Sequence, residues 1–214
     1  MHHSPMTKPG SAPSLTQAER SALSDRAMIE AACELLLEKG AGGTTLAAIG
    51  EKAGYSRGLA TYRFGSKAGL FKAVGKAVSH RWLAVLQAEV GEQTGVDAMC
   101  AAIDAYAKFV QASPDDARIQ QILFSEAGGP ESESRSLAID TYRRQISDVA
   151  TWLADGIDTG SVRDDIDIDA EAVQFVASIV GATHLWLLVP DHVRFDAMRR
   201  SAKQRLRNHL ASAA

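Results

Sequence analysis

Thr44-Thr45-Leu46-Ala47-Ala48-Ile49-Gly50-Glu51-Lys52-Ala53-Gly54-Tyr55-Ser56-Arg57-Gly58-Leu59-Ala60-Thr61-Tyr62-Arg63-Phe64-Gly65-Ser66-Lys67 is the stretch that decides the fold. The two threonines offer an N-cap to a short helix over 46–53, Gly54 ends it, and Ser56 caps a second helix over 57–64. Gly65-Ser66 then restarts the chain into a long helix over 67–90, with an apolar stripe of Leu70, Phe71, Val74, Val78, Trp82, Val85 and Leu86. Two short helices joined by a tight glycine-containing turn and followed by a long one make a helix-turn-helix pattern. Leu46, Ile49, Ala53, Leu59 and Phe64 supply the apolar set that holds the pair rigid. An ordinary helical hairpin would carry the same set, so the charge around it has to discriminate.

The chain has 214 residues, 46% of them hydrophobic and 23% charged, with a net charge of −3. These fractions are those of a globular protein and argue against a disordered one. The total charge hides an asymmetry. Residues 1–80 carry ten Lys/Arg against six Asp/Glu, whereas residues 81–214 carry 13 against 20, so +4 is masked by −7. From Lys52 to Ala88 there is no acid at all, while Lys52, Arg57, Arg63, Lys67, Lys72, Lys76 and Arg81 are basic. A base-studded segment without acids suits phosphate neutralisation, because each bound cation releases condensed counterions. A solvated basic face is the alternative on charge alone, and the coincidence with the helix pair favours DNA.

Helical periodicity runs through the rest of the chain and strand signals are nearly absent. Thr16-Gln17-Ala18-Glu19 fits a capping box for a helix running to Lys39, with Met28, Ile29, Ala32, Leu35 and Leu36 as its stripe and the glycine-rich 40–43 as its stop. Further helices are expected over 96–111, from Pro114 behind Ser113, over 131–155 after Gly128-Gly129-Pro130, over 169–188 with Asp169 as cap, and over 191–211. The expectation is an all-α chain of about nine helices. It divides into a flexible tail (1–15), a helix-turn-helix domain (16–66) and a larger helical domain (67–214).

Residues 24–74 resemble the DNA-binding domain of the TetR family of bacterial transcriptional regulators, of the TetR/AcrR type. The resemblance is carried by Ala31-Ala32, Gly40, Thr44-Thr45 leading into Leu46-Ala47-Ala48-Ile49, Ala53-Gly54-Tyr55-Ser56-Arg57-Gly58, and Phe64-Gly65-Ser66-Lys67-Ala68-Gly69-Leu70. It implies that Ser56, Arg57, Gly58, Thr61, Tyr62 and Arg63 face double-stranded DNA. Thr44 or Thr45 and Lys67 would touch phosphate at helix amino ends. Arg57 and Arg63 are the expected base readers, since the guanidinium fork matches the two acceptors of guanine. Thr61 and Arg63 depart from the tyrosine and histidine common in the family.

The resemblance further implies a homodimer, bound to a palindromic operator, whose larger domain binds a small-molecule effector. On 169–188, Val173, Val176, Val180, Thr183 and Leu187 form a stripe with small Ala177, Gly181 and Ala182 beside it; on the last helix Met198, Ala202, Leu206 and Leu210 repeat nearly every four residues. These are the expected dimer surfaces, with intramolecular core as the alternative. Trp82, Met99, Cys100, Tyr106, Phe109, Phe124, Tyr142, Trp152 and Phe175 are the candidates for lining an apolar or amphipathic effector cavity, and plain core is again the alternative.

Catalysis finds no support: GxSxG, HExxH, a Walker loop and a Rossmann glycine pattern are all missing. Neither a cofactor nor a metal is expected. Two cysteines, Cys33 and Cys100, make no disulfide framework, and Asp164, Asp165, Asp167 and Asp169 lack the glycine and glutamate of a calcium loop. No run of about 18 apolar residues is seen and MHHSPMTKPGSAPS has no apolar signal core, so no membrane span and a cytoplasmic location are expected. The function expected is therefore a non-enzymatic, ligand-released repressor. The competing reading is an all-helical small-molecule binding protein whose head does not read DNA.

Overall fold

The computed structural model describes residues 16–126 and 133–212. Among them stand nine helices and no strand: α1 Gln17–Gly43, α2 Leu46–Lys52, α3 Arg57–Phe64, α4 Lys67–Val90, α5 Gly95–Ala112, α6 Pro114–Glu126, α7 Glu133–Asp158, α8 Ile168–Leu188 and α9 Phe195–Leu210. The expected tail and the Gly128-Gly129-Pro130 turn lie outside the described residues.

Local chemistry explains most boundaries. The Thr16 hydroxyl accepts from the Glu19 N–H at 3.2 Å, and the Glu19 carboxylate accepts from the Thr16 N–H at 2.7 Å, closing the capping box that opens α1. The expected stop after Lys39 appears as a break inside α1, where Gly40 takes φ 65°; one more helical turn then reaches Gly43. Asp167 caps α8, two residues ahead of the expected Asp169, because its carboxylate accepts from the Ala170 N–H at 3.1 Å. The turn after Pro190 delays α9 to Phe195. Asp165, by contrast, pairs with Arg163 in the loop before α8.

Two apolar cores result. One joins Met28 and Leu36 of α1, Ile49 of α2 and Ala60 of α3 to Leu70, Val74 and Val78 of α4 and on to Ile119 and Leu123 of α6. The helix-turn-helix is thus seated on α4 and shares its core with α6. The other joins Met99 and Cys100 of α5, Val149 and Leu153 of α7, Ala172, Phe175 and Val176 of α8 and Leu210 of α9. Gly69 permits the α3–α4 junction, since a β-carbon there would sit 2.1 Å from the Phe64 carbonyl oxygen.

One helix departs from the expected lack of a span-length apolar stretch: α8 is long and apolar enough to cross a membrane by length and composition alone, a test that core helices also pass. Its apolar residues point both ways: Ala172, Phe175 and Val176 face the core, whereas Val173, Leu185 and Leu188 face out.

Candidate nucleic-acid interface and ligand cavity

The head is built around the α2–α3 turn. Thr45 caps α2 by accepting from the Ala48 N–H at 3.2 Å, and Ser56 caps α3 by accepting from the Leu59 N–H at 3.1 Å. Gly54 takes φ 78° between them, a conformation that L side chains resist. Gly50 lets the helices close: a β-carbon there would lie 3.0 Å from the Tyr55 carbonyl oxygen. Ala60 is fully buried, with Leu59 and Phe64 packed beside it, so α3 turns Arg57, Gly58, Thr61 and Tyr62 outward on one face. Tyr62 is 81% exposed, which is unusual for an aromatic side chain and leaves it available to a groove wall. Tyr55 is also on the surface.

Two expectations about the head are altered by the tertiary structure. Thr44 is fully buried and its hydroxyl donates to the Gly40 carbonyl at 2.8 Å; it closes the α1–α2 corner and faces no phosphate, leaving Thr45 exposed at the amino end of α2. Arg63 turns back from the α3 surface and grips both carboxylate oxygens of Asp25 on α1, with Nε to Oδ1 at 2.5 Å. That pairing raises the Arg63 pKa above its ordinary value and makes the guanidinium a strut between α1 and α3, which removes it from base reading in this conformation. Lys67, at the start of α4, is half-buried with Nζ 5.3 Å from the centre of the Phe71 ring.

The acid-free basic run is likewise not acid-free in space. Lys52 pairs with both Glu34 and Glu38 of α1 at 2.9 Å, and Arg81 Nε donates to Asp116 of α6 at 2.7 Å. Arg57, Lys67, Lys72 and Lys76 have no ion pair to a carboxylate among the described residues. The positive field is therefore narrower than the sequence suggests and centred on α3 and the first half of α4.

A partly open cavity lies between α4, α5, α6, α7 and α8. Six of the expected residues stand on its wall: Trp82, Tyr106, Phe124, Tyr142, Trp152 and Phe175. Their rings are mutually braced, with Trp82 edge-on to Tyr106 at 5.3 Å and Phe124 tilted on Tyr142 at 5.0 Å between centres. Burial pushes the Tyr142 hydroxyl up to about 12. Met99, Cys100 and Phe109 are not on the wall: all three are buried core, Phe109 packed against Trp82 at 5.6 Å between ring centres. The wall also holds polar groups outside that aromatic set, namely Gln120, Gln121, Gln145 and Asp148. Tyr142, Gln145, Val149 and Trp152 recur every three or four residues on α7, so a polar interruption of that stripe was readable in the sequence.

Helix α8 separates the cavity from the opposite surface. Val176, Val180 and Thr183, expected at a dimer surface, line the cavity; the outward stripe is instead Val173, Ala177, Gly181, Leu185 and Leu188. Leu187 is half-buried. Met198, Ala202 and Leu206 line an open groove between α5, α8 and α9. His184 sits on the exposed side of α8 with Nδ1 2.9 Å from the Gln121 amide nitrogen.

A helix-turn-helix with an exposed polar second helix, mounted on a long helix that reaches an aromatic cavity, defines a DNA-binding transcriptional regulator. The chain belongs to the TetR family: residues 28–74 match bacterial regulatory proteins of the tetR family, and residues 95–211 match the C-terminal domain of BetI-type transcriptional repressors. Similar solved structures include a protein from Saccharomonospora viridis, classed as a transcriptional regulator and in complex with choline, at 19% identity and a TM-score of 0.77, over 90% of this chain and 100% of that one. SmeT, the repressor of the Stenotrophomonas maltophilia multidrug efflux pump SmeDEF, is similar at 19% identity and a TM-score of 0.70, over 89% and 91% of the chains. The fatty acid degradation regulator FadR from Bacillus halodurans is similar at 16% identity and a TM-score of 0.73, over 86% and 98%. No curated protein sequence matches the chain.

Proposed function

We propose that the protein is a homodimeric repressor that binds a palindromic operator and leaves it when a small amphipathic effector enters the cavity. The observation that carries this is the path through α4. Its amino end bears the reading head on Leu70 and Val74, and Trp82, two to three turns further on, is a wall of the cavity. Arg57, Thr61 and Tyr62 would enter the major groove, with Ser56 and Gly58 against the backbone and Thr45 and Lys67 on phosphate. The exposed apolar stripe of α8 and the groove beside α9 would supply the surface for a second copy. Two-fold pairing is also what brings two heads onto half-sites about 34 Å apart.

Release requires the effector to bind the DNA-incompetent arrangement more tightly; a tenfold loss of DNA occupancy needs a difference of about 1.4 kcal/mol. Arg81 and Asp116 tie α4 to α6, and α6 contributes Gln120, Gln121 and Phe124 to the wall, so a ligand that shifts α6 pulls on the helix carrying the head. Selection of bound sequences from random DNA tests the whole reading. A palindrome with half-sites one helical turn or a multiple apart is expected, with affinity falling steeply with salt. Enrichment of no palindrome, or binding indifferent to salt, would overturn it.

A further inference from the structure

The cavity wall has an uneven charge inventory. Among the described residues that line it, Asp148 alone carries a formal charge at neutral pH; the remaining polar groups are glutamine amides and hydroxyls, and no lysine, arginine or histidine reaches it. Asp148 sits on α7 next to Val149 and one turn from Trp152, half-buried, and makes no hydrogen bond among the described residues. The nearest cation is Arg144, one turn back on the exposed side of the same helix. Burial is the first cause that pushes the Asp148 carboxyl above its ordinary range, and Arg144 offsets only part of it. A carboxylate kept partly out of water without a hydrogen-bond donor is costly unless something bound there repays it.

The aromatic lining points to the same ligand class. Trp82, Tyr106, Phe124, Tyr142 and Trp152 line the same cavity as Asp148, and the negative face of an aromatic ring attracts a cation. A carboxylate or phosphate ligand would find no positive partner on this wall. We propose that the effector is an organic cation, an amphipathic molecule whose quaternary or protonated nitrogen sits among the aromatic rings against Asp148 while its apolar part fills the space toward Phe175 and Val176. This rests on the reading of the cavity as the effector site.

The test uses the full-length protein and three probes of similar size: benzyltrimethylammonium, its uncharged isostere neopentylbenzene, and phenylbutyrate, titrated by calorimetry and by the fluorescence of the wall tryptophans. The cation is expected to bind at least as tightly as its isostere, which a pocket lacking a counter-charge would forbid, and about tenfold or more tighter than phenylbutyrate. Asp148→Asn is expected to weaken the cation about tenfold while leaving neopentylbenzene unchanged. A wild-type protein that prefers the isostere or phenylbutyrate overturns the cation assignment and leaves the effector cavity standing. So does an Asp148→Asn variant, folded by circular dichroism, that loses both probes equally or neither. If none of the three binds, the cavity is no ligand site and both readings fall together.

Discussion

The outward face of α8 makes a quantitative prediction about assembly. Leu185 and Leu188 are 53% and 65% exposed on a helix whose other side is buried. Burying a leucine side chain fully contributes roughly 2 kcal/mol, so covering the exposed parts of these two is worth about 2 kcal/mol per copy. A two-fold interface counts each residue twice. Leu185→Ala with Leu188→Ala is therefore expected to cost the dimer about 3–5 kcal/mol, which weakens its dissociation constant by roughly two to four orders of magnitude. Sedimentation across a concentration series reads this directly, and the melting temperature at a concentration where both forms are monomeric should change little, because neither leucine belongs to the protomer's two apolar cores. Val176→Ala is the matched control. That side chain is buried beside the cavity, so its truncation is expected to lower the melting temperature and leave the dimer constant alone. A double variant that dimerises like wild type, or a Val176→Ala variant that dissociates, would refute the assignment of the two faces of α8.

Arg57→Ala is expected to reduce operator affinity about tenfold or more and to relax specificity at one base position, with the fold intact in circular dichroism. Arg63→Ala is expected to act differently: it releases the strut to Asp25, so Asp25→Ala should reproduce its effect on DNA binding, which a direct base contact by Arg63 would not allow. Asp116→Asn breaks the α4–α6 tie at a carboxylate that is buried although its Arg81 partner is half exposed; after allowing for solvent screening the cost is about 1–2 kcal/mol, or a few degrees in a thermal melt. Asp148→Asn is expected to raise the melting temperature of the ligand-free protein. The folded pKa of Asp148 lies above the ordinary 3.8, so its ionisation opposes folding as pH rises through that raised value and costs nothing well below 3.8; the gain from Asn should be full at neutral pH and vanish in acid. A gain that grew toward acid pH would contradict the burial of that carboxylate.

Helix positions were legible because their causes are local. Thr16, Thr45 and Ser56 accept from N–H groups three residues on, Gly54 and Gly65 take positive φ where helices must end, and Pro114 opens α6; each acts within one turn of the chain. The same locality made the exposed face of α3 readable, since Leu59, Ala60 and Phe64 claim its other side. What a side chain meets across the fold is not local. Arg63 and its Asp25 are 38 residues apart, Arg81 and its Asp116 are 35 apart, and both arginines look free in a stretch without acids until the helices pack.

The rotation of α8 about its own axis shows the limit most plainly. A helix with apolar residues on two opposite sides has no face that its sequence marks as inward, so the stripe through Val176, Val180 and Thr183 and the stripe through Val173, Leu185 and Leu188 are equivalent by period alone. Packing against α7 and the cavity breaks that equivalence. The sequence by itself determined that this chain is helical, where its helices begin and end, and that a DNA-reading head stands at its amino end, because caps, glycines and apolar periods act over one or two turns. Only the tertiary structure decided which cations remain free for phosphate, which face of α8 is left for a partner, and that the carboxylate of Asp148 stands in an aromatic cavity, because those depend on which surfaces other helices have already covered.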